Sequence, residues 1–327
     1  MTGLPMGSLT AAFVADRPLL WGLCYRMTGS AADADDIVQE TFTRALEHPP
    51  ARSDEPWRPW LVRVAMNLAR DVLRRRRRRP YVGPWLPSPI DTGDEAALPS
   101  VEPVLPGGDT TAGRYDMLES VSYAFLIALE ALTPQQRAVL LLRDVFDYDV
   151  RETAVALDVS EASVKVTHHR ARARMAAYDH QRCIPTRGLQ ERTRAALERL
   201  VAAIVGGDVR DAERLLAAGV RAFSDGGGEF HAARVPLVGP ERVARFYTNI
   251  ATRGASHAHA EIRMLNGLPA LVTTLAGHRP GYAPLFVTRL DLDADGRVHR
   301  LYSVLATHKL SAIAAARETW TARDGIA

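Results

Sequence analysis

The sequence predicts a multidomain chain: two all-α modules separated by a proline- and glycine-rich tether, followed by an α+β domain. Three observations predict it. Apolar residues recur at helical spacing behind clear helix-start residues in two separate stretches, Leu9 to Arg79 and Leu132 to Met175. Between them, Pro80 to Gly113 is rich in Pro and Gly, carries Asp91, Asp94, Glu95, Glu102 and Asp109, and contains no Lys or Arg. From Leu189 onward helices alternate with short strand-like runs bounded by turn residues. At 327 residues the chain is too long for one small core, so two or three domains are expected. The divisions read from the sequence are 1–79, a linker at 80–115, 116–182, 189–312, and a tail at 313–327.

Composition narrows the class without naming it. The net charge of +3 is mild and does not by itself announce a nucleic-acid binder. Lys165 and Lys309 are the only lysines beside many arginines, a bias that suggests a GC-rich genome and discounts any single Arg as a functional sign. Cys24 and Cys183 form no metal or disulfide pattern and fit a reducing compartment. No apolar run reaches membrane-spanning length and no charged-then-apolar leader opens the chain. The expectation is a soluble, cytoplasmic protein with no cofactor, metal or membrane partner.

Leu9 to Tyr25 reads as a helix with Phe13, Leu19, Leu20 and Leu23 available for a core. Gly29-Ser30 ends it and caps the next, Ala31 to Leu46, which has Ala34, Val38, Phe42 and Ala45 on one side. Asp33, Asp36, Gln39, Glu40 and Thr43 lie around the other side, as a solvated acidic face or an interface. Trp57 to Arg79 forms a second long helix with a core stripe of Leu61, Val64, Ala65, Leu68, Ala69 and Val72. Arg63, Asn67, Arg70, Asp71 and Arg74 fall together on the opposite face. Such a face can hydrogen-bond phosphates and base edges at once, which suits capture of a single strand. The run Arg74 to Arg79 reads as a solvated tail or a sequence-independent phosphate clamp. The linker cannot bury enough apolar surface to order itself, and an exposed Trp85 in it is costly without a partner.

Leu132 to Met175 reads as two short helical segments and one basic helix. Thr133, Pro134 and Gln136 make an N-cap, a first-turn proline and a capping-box partner. Asp149 with Glu152 repeats the arrangement, and Ser160 opens the third helix after a turn at Leu157-Asp158-Val159. This is a helix-turn-helix pattern, whose second helix enters the major groove of DNA. The basic helix presents Ser163, Lys165, Thr167, His169, Arg170, Arg172 and Arg174, with Val164, Ala171 and Met175 near one face for packing.

In the C-terminal third, Glu191 to Val205 is an amphipathic helix and Asp208 caps another through Ala217. Strands are expected at Val220–Ser224, His259–Leu265, Ala270–Ala276, Pro284–Leu292 and Val298–Leu305, with a helix at Val238–Thr252 and a hairpin turn at Asp295-Gly296. Helices followed by a curved antiparallel sheet suggest a cone-shaped fold. For an enzyme of that shape, Asp225, Glu229, His231, His257, His259 and Tyr302 are the available acid–base groups, with no pairing legible among them. The triplet Gly226-Gly227-Gly228 points instead to positive φ and close backbone approach.

Several strings together resemble one family. Asp33-Ala34-Asp35-Asp36-Ile37-Val38-Gln39-Glu40-Thr41-Phe42 resembles region 2.2 of bacterial extracytoplasmic-function sigma factors. Trp57-Arg58-Pro59-Trp60-Leu61 and the stretch Arg63 to Arg75 resemble regions 2.3 and 2.4. Ala131 to Leu140, Leu142 to Phe146, Ser163-Val164-Lys165 and His169-Arg170-Ala171-Arg172 resemble region 4. Two departures are His168, where the family often has Leu, and Thr167, where it often has Arg; His168 is read as a packing residue. Trp85-Leu86-Pro87-Ser88-Pro89, Asp225-Gly226-Gly227-Gly228 and Asn266-Gly267-Leu268-Pro269-Ala270 resemble motifs of the subgroup with a fused SnoaL-like domain, a fold shared with ketosteroid isomerase.

The resemblance implies partners and roles. Core RNA polymerase would be met through its clamp and flap regions, with Asp33, Asp36, Gln39, Glu40 and Thr43 on the clamp. The downstream (minus-10) element would fall to Trp57, Arg63, Asn67, Arg70, Asp71, Arg74 and Arg75. The upstream (minus-35) element would fall to Ser160, Ser163, Lys165, Thr167, His169, Arg170, Arg172 and Arg174. Beyond the resemblance, the C-terminal domain is expected to be regulatory, packing against the first sigma domain and the Trp85 linker, with Trp85, Leu86, Pro87, Asp225, Gly226, Gly227, Gly228, Asn266, Gly267 and Pro269 as the regulatory and interdomain residues. A small-molecule ligand of the C-terminal domain is a further expectation. The initiation chemistry belongs to the polymerase, so the chain is read as no enzyme. Two rivals stand: an ordinary operator-binding regulator with a C-terminal sensor, and a cyclase- or isomerase-like enzyme fused to a DNA-binding module.

Overall fold

The computed structural model describes residues 6–49, 56–93, 114–254, 258–276 and 280–313. The chain divides into two units. The first comprises Met1–Pro80 with Glu95–Cys183, and the second comprises Tyr81–Asp94 with Ile184–Ala327.

In the first unit, α1 (Met6–Thr28), α2 (Ala31–Glu47) and α3 (Trp57–Arg78) pack on one another. Ser30 caps α2 by accepting from the Asp33 N–H, and Ala34, Ile37, Val38, Thr41, Phe42 and Ala45 are its buried side. Phe13 stays 40 % exposed, although its ring meets Phe42 edge-on at 4.6 Å. The buried stripe of α3 is rotated from the expected one. Leu61, Val62, Ala65, Met66, Ala69, Arg70 and Leu73 are buried, whereas Val64, Leu68 and Val72 are only half-buried. The reason is a second neighbour: α3 also packs on helices that lie far along the chain.

Those helices are α4 (Met117–Ser120), α5 (Tyr123–Ala128), α6 (Pro134–Asp144), α7 (Val150–Leu157) and α8 (Glu161–His180). The capping boxes at Thr133/Gln136 and Asp149/Glu152 are both formed, and Ser160 caps α8. Asp158 ends α7 in the left-handed conformation at φ 54°, which turns the chain sharply into α8. Val164, Ala171, Met175 and Tyr178 are the buried face of α8. The fully buried Glu119 accepts from Tyr178 Oη at 2.8 Å and Arg182 Nε at 2.7 Å, tying the far end of α8 to α4.

In the second unit, α9 (Arg187–Val205), α10 (Val209–Leu215) and α11 (Pro240–Gly254) accompany a six-stranded sheet. Its strands are β1 (Leu216–Asp225), β2 (Leu237–Val238), β3 (Ala258–Leu265), β4 (Leu268–Leu275), β5 (Leu285–Leu292) and β6 (Val298–Val304), in the order β2-β1-β6-β5-β4-β3. The α+β expectation holds, with one correction. The sheet is mixed, because β1 runs parallel to β6 with Ala222 opposite Leu301, while the other pairs are antiparallel. A parallel neighbour needs a long crossover, and the α11-to-β5 stretch supplies it. Leu197, Leu200, Ala212, Val220, Ala222, Val243, Leu290 and Leu301 form the core.

A second correction concerns the tether. Tyr81–Gly93 packs within this unit, with Leu86 and Ile90 each 3 % exposed, so it is ordered by the domain it lies on. The remainder of the linker, the tail beyond Ile313 and His257 lie outside the described residues.

Candidate functional site

Three groups of residues form candidate contact surfaces. On α2, Asp36, Gln39, Glu40 and Thr43 are exposed in a row opposite the buried side, and Asp33 is half-buried at the helix start. Trp21 Nε1 donates to Asp35 at 2.9 Å and Arg44 pairs with Glu40 at 2.8 Å, leaving Asp36 and Gln39 at the centre of the face.

The second group joins α3 to the helix-turn-helix. Arg63, Asp71, Arg74 and Arg75 are exposed, with Asp71 bonded to Arg74 at 2.8 Å, and Trp57 is half-buried with its ring edge-on to Trp60. Arg70 departs from the open face expected of it. It is 8 % exposed, donating to Gln135 at 2.5 Å and to Asn67. Burial, the Arg74 charge and the offsetting charges of Asp71 and Asp158 leave its pKa below the ordinary guanidinium value. Arg76 donates to Thr28 O at 2.7 Å and to Glu130, and Arg77 donates to Leu132 O. Two fully buried arginines complete the junction. Arg26 donates to Ser120 Oγ at 2.7 Å and Met117 O at 3.0 Å, and Arg137 donates to Met27 O at 2.9 Å and Leu129 O at 2.7 Å. Burial works against the Glu130 carboxylate, but Arg137 and Arg76 hold its pKa below the usual range.

On α8, Ser163, Lys165, His169, Arg170, Arg172 and Arg174 are exposed, Thr167 is half-buried, and the capping Ser160 is exposed at the helix start. Arg63 of α3 and Asp158, Ser160 and Glu161 at the start of α8 line one cleft of about 560 Å³. One residue expected at each of two DNA elements, Arg63 and Ser160, thus lines the same cleft.

The third group grips the tether. Asp225, fully buried at the end of β1, accepts from Tyr81 Oη at 2.6 Å and Gly227 N at 3.1 Å on one oxygen. Its other oxygen accepts from Leu86 N at 2.7 Å and Lys309 Nζ at 2.5 Å. Lys309 is 1 % exposed, donates also to Leu86 O at 2.6 Å, and sits 4.2 Å from the Trp85 ring centroid and 4.8 Å from that of Tyr81. The Asp225 carboxylate thus receives four donors, three from side chain or backbone of the tether and Lys309 and one from its own loop.

The glycines allow this closeness. Gly227 and Gly228 have φ of 58° and 81°, and a Cβ on Gly226 would lie 2.8 Å from Phe230 O. Leu86 and Pro87 are buried and Trp85 half-buried. At the tether's other end, Asn266 and Gly267 form the β3–β4 turn with φ of 53° and 80°. Asn266 Oδ1 accepts from Ile90 N at 3.1 Å, Asn266 N donates to Ile90 O at 2.9 Å, and Gly267 N donates to Thr92 Oγ1 at 3.0 Å. Pro269 is buried on β4, and Asp91 pairs with Arg263.

Of the other acid–base groups, Glu229 meets Thr307 N at 3.2 Å and His308 at 3.3 Å; burial opposes these bonds, yet they hold its carboxyl below the usual range. His231 lies edge-on to Tyr282, His259 is exposed, and the Tyr302 hydroxyl is pushed up by burial. Sequence reasoning missed Lys309 and Tyr81. A signal existed: Lys309 is one of only two lysines in an arginine-rich chain. Ammonium forms a compact point charge that fits between two rings and a carboxylate.

Comparison with known proteins follows the same division. Residues 13–79 match the Sigma-70 region 2 family, and residues 124–175 match Sigma-70, region 4. The ECF RNA polymerase sigma factor SigJ of Mycobacterium tuberculosis is 32 % identical over 243 residues, 74 % of this chain and 72 % of that protein. SigG of the same species, also an ECF RNA polymerase sigma factor, is 40 % identical over 160 residues, 46 % of this chain and 43 % of its own length. The crystal structure of the M. tuberculosis extracytoplasmic function sigma factor SigJ aligns with a TM-score of 0.66 and 26 % identity, covering 93 % of this chain and 98 % of that one.

Proposed function

The chain belongs to the extracytoplasmic-function sigma factors of RNA polymerase, and we propose that its C-terminal unit governs that activity by holding the tether between the two sigma modules. As an alternative sigma factor it directs promoter-specific transcription initiation. In the proposed division of labour the acidic face of α2 docks on the polymerase clamp, α3 takes the downstream element, and α8 takes the upstream one.

The observation that carries the regulatory part is Asp225, whose carboxylate closes on Tyr81 and Leu86 of the tether and pairs with Lys309. The tether cannot be gripped there and extended along a partner at the same time. A cleft of about 300 Å³ lined by Val82, Gly83, Gly228, Glu229, His231 and Arg234 adjoins the Asp225 contacts, so a small polar ligand there would bear on the same grip. The first unit poses a related constraint. Two elements about 25 base pairs apart lie roughly 85 Å apart along B-DNA, whereas Arg63 and the start of α8 share one cleft. Promoter engagement therefore requires α3 and α8 to separate.

Truncation after Arg187, with transcription measured on reconstituted holoenzyme, tests the regulatory claim. Altered promoter-specific output at unchanged polymerase affinity is expected, and unchanged output removes the claim. Changing Asp36 and Glu40 together to Lys is expected to reduce core-polymerase binding at least tenfold in a pull-down titration, with helicity and melting preserved, because exposed residues of α2 are replaced. Retained binding would show that this face is merely solvated.

A further inference from the structure

We infer that Asp144 is a positioning residue for promoter reading: it aims the Arg172 guanidinium at DNA through a carboxylate bridge to His168 and Arg172. The inference rests on α8 being the helix that meets the upstream element. Asp144 closes α6 and is 4 % exposed. Its Oδ1 lies 2.9 Å from His168 Nε2, and its Oδ2 accepts from Arg172 Nε at 3.2 Å. His168 and Arg172 stand four residues apart, so one carboxylate spans a single turn of α8 and fixes the rotation of that helix on α6.

The atom used matters. Bonding through Nε fixes the plane of the guanidinium and leaves both terminal nitrogens for an outside acceptor, and the Arg172 side chain is 43 % exposed. An arginine held this way gives up less side-chain freedom on binding a phosphate or a guanine edge. The buried carboxylate needs donors whether or not DNA is present, so the bridge stands in the free protein. The His168 ring supplies a hydrogen-bonding nitrogen to the Asp144 carboxylate that an apolar side chain at this position would lack.

Electrostatics and positioning predict opposite effects of removing this charge. Asp144→Asn takes a negative charge from the DNA side, which by itself would strengthen phosphate binding. Positioning predicts weaker discrimination instead. The test uses the full chain with core polymerase, a duplex carrying the element that the wild-type holoenzyme selects from a randomised pool, and the same duplex scrambled. Arg172→Ala is expected to lower the selected-to-scrambled ratio roughly tenfold, and Asp144→Asn roughly threefold to tenfold, with less than about a twofold further change when added to Arg172→Ala. Arg172→Lys keeps the charge but lacks the fork, and is expected to lose nearly as much selectivity as Arg172→Ala, which tests the geometry should Asp144→Asn fold poorly. Independent, multiplying losses in the double variant would overturn the positioning role alone. Wild-type selectivity in both Arg172 variants would overturn the placement of Arg172 on DNA, and the inference with it.

Discussion

Lys309→Met is expected to destabilise the C-terminal unit by about 3–5 kcal/mol, the usual cost of removing one partner of a buried ion pair. Asp225 would keep Tyr81, Leu86 and Gly227 as donors but lose its only buried cation partner among the described contacts. The Leu86 carbonyl would lose a charged donor as well. For a unit of this size the loss corresponds to a melting temperature lower by roughly 6 to 20 °C. The tether should loosen before the sheet does, since the Ala222–Leu301 pairing does not pass through Lys309. Calorimetry together with limited chymotrypsin digestion measures both, with new cleavage after Tyr81 and Trp85 as the sign of release. Combining Asp225→Asn with Lys309→Met should cost less than the two changes summed, because no buried charge is left alone. Unchanged melting and unchanged protection in Lys309→Met would show that the tether is held elsewhere.

Arg26→Met is expected to open the first unit. Arg26 is fully buried and makes two hydrogen bonds across the junction, to Ser120 and to Met117 O, with its guanidinium 5.4 Å from the Phe146 ring centroid. Hydrogen bonds from a charged donor contribute about 1.5–3 kcal/mol each, and a carbonyl left buried without one adds to the loss. The interface should weaken by about 3 kcal/mol or more. Arg26→Lys should rescue little, since an ammonium cannot reproduce the fork that reaches Ser120, Met117 and Gly22 together. Hydrogen exchange is the direct readout: faster exchange is expected at Met117–Ser122 and across α6, with α2 unaffected. Slower or unchanged exchange at those amides would place the junction's strength in Arg137 and the apolar contacts instead.

What the sequence made legible was local. Ser30, Thr133, Asp149 and Ser160 cap the helices they were expected to cap, because a cap is written within four residues of chain. Strand positions from His259 to Leu305 fall close to the observed ones for a similar reason, as alternation and turn residues are short-range signals. Non-local pairing was hidden. Arg70 read as part of an open polar face, but Gln135, 65 positions away, covers it. The tether read as unable to order itself, which is true of its composition, yet Leu86 finds Lys309 at a separation of 223 residues and Ile90 finds Asn266 at 176. The parallel β1–β6 pair was illegible for the same reason, since strand direction is set by the crossover and leaves no mark on either strand. The motif strings around Trp85, Asp225 and Asn266 were noticed separately; the structure shows them as the two ends of one grip.

Footprinting of holoenzyme reconstituted from the full-length chain and core RNA polymerase tests the whole account most directly. Protection of two elements separated by about two and a half turns of duplex is expected, with opening at the downstream one and a transcript starting beyond it. Protection of a single duplex site by the chain alone, indifferent to core enzyme and without a transcript, would contradict it.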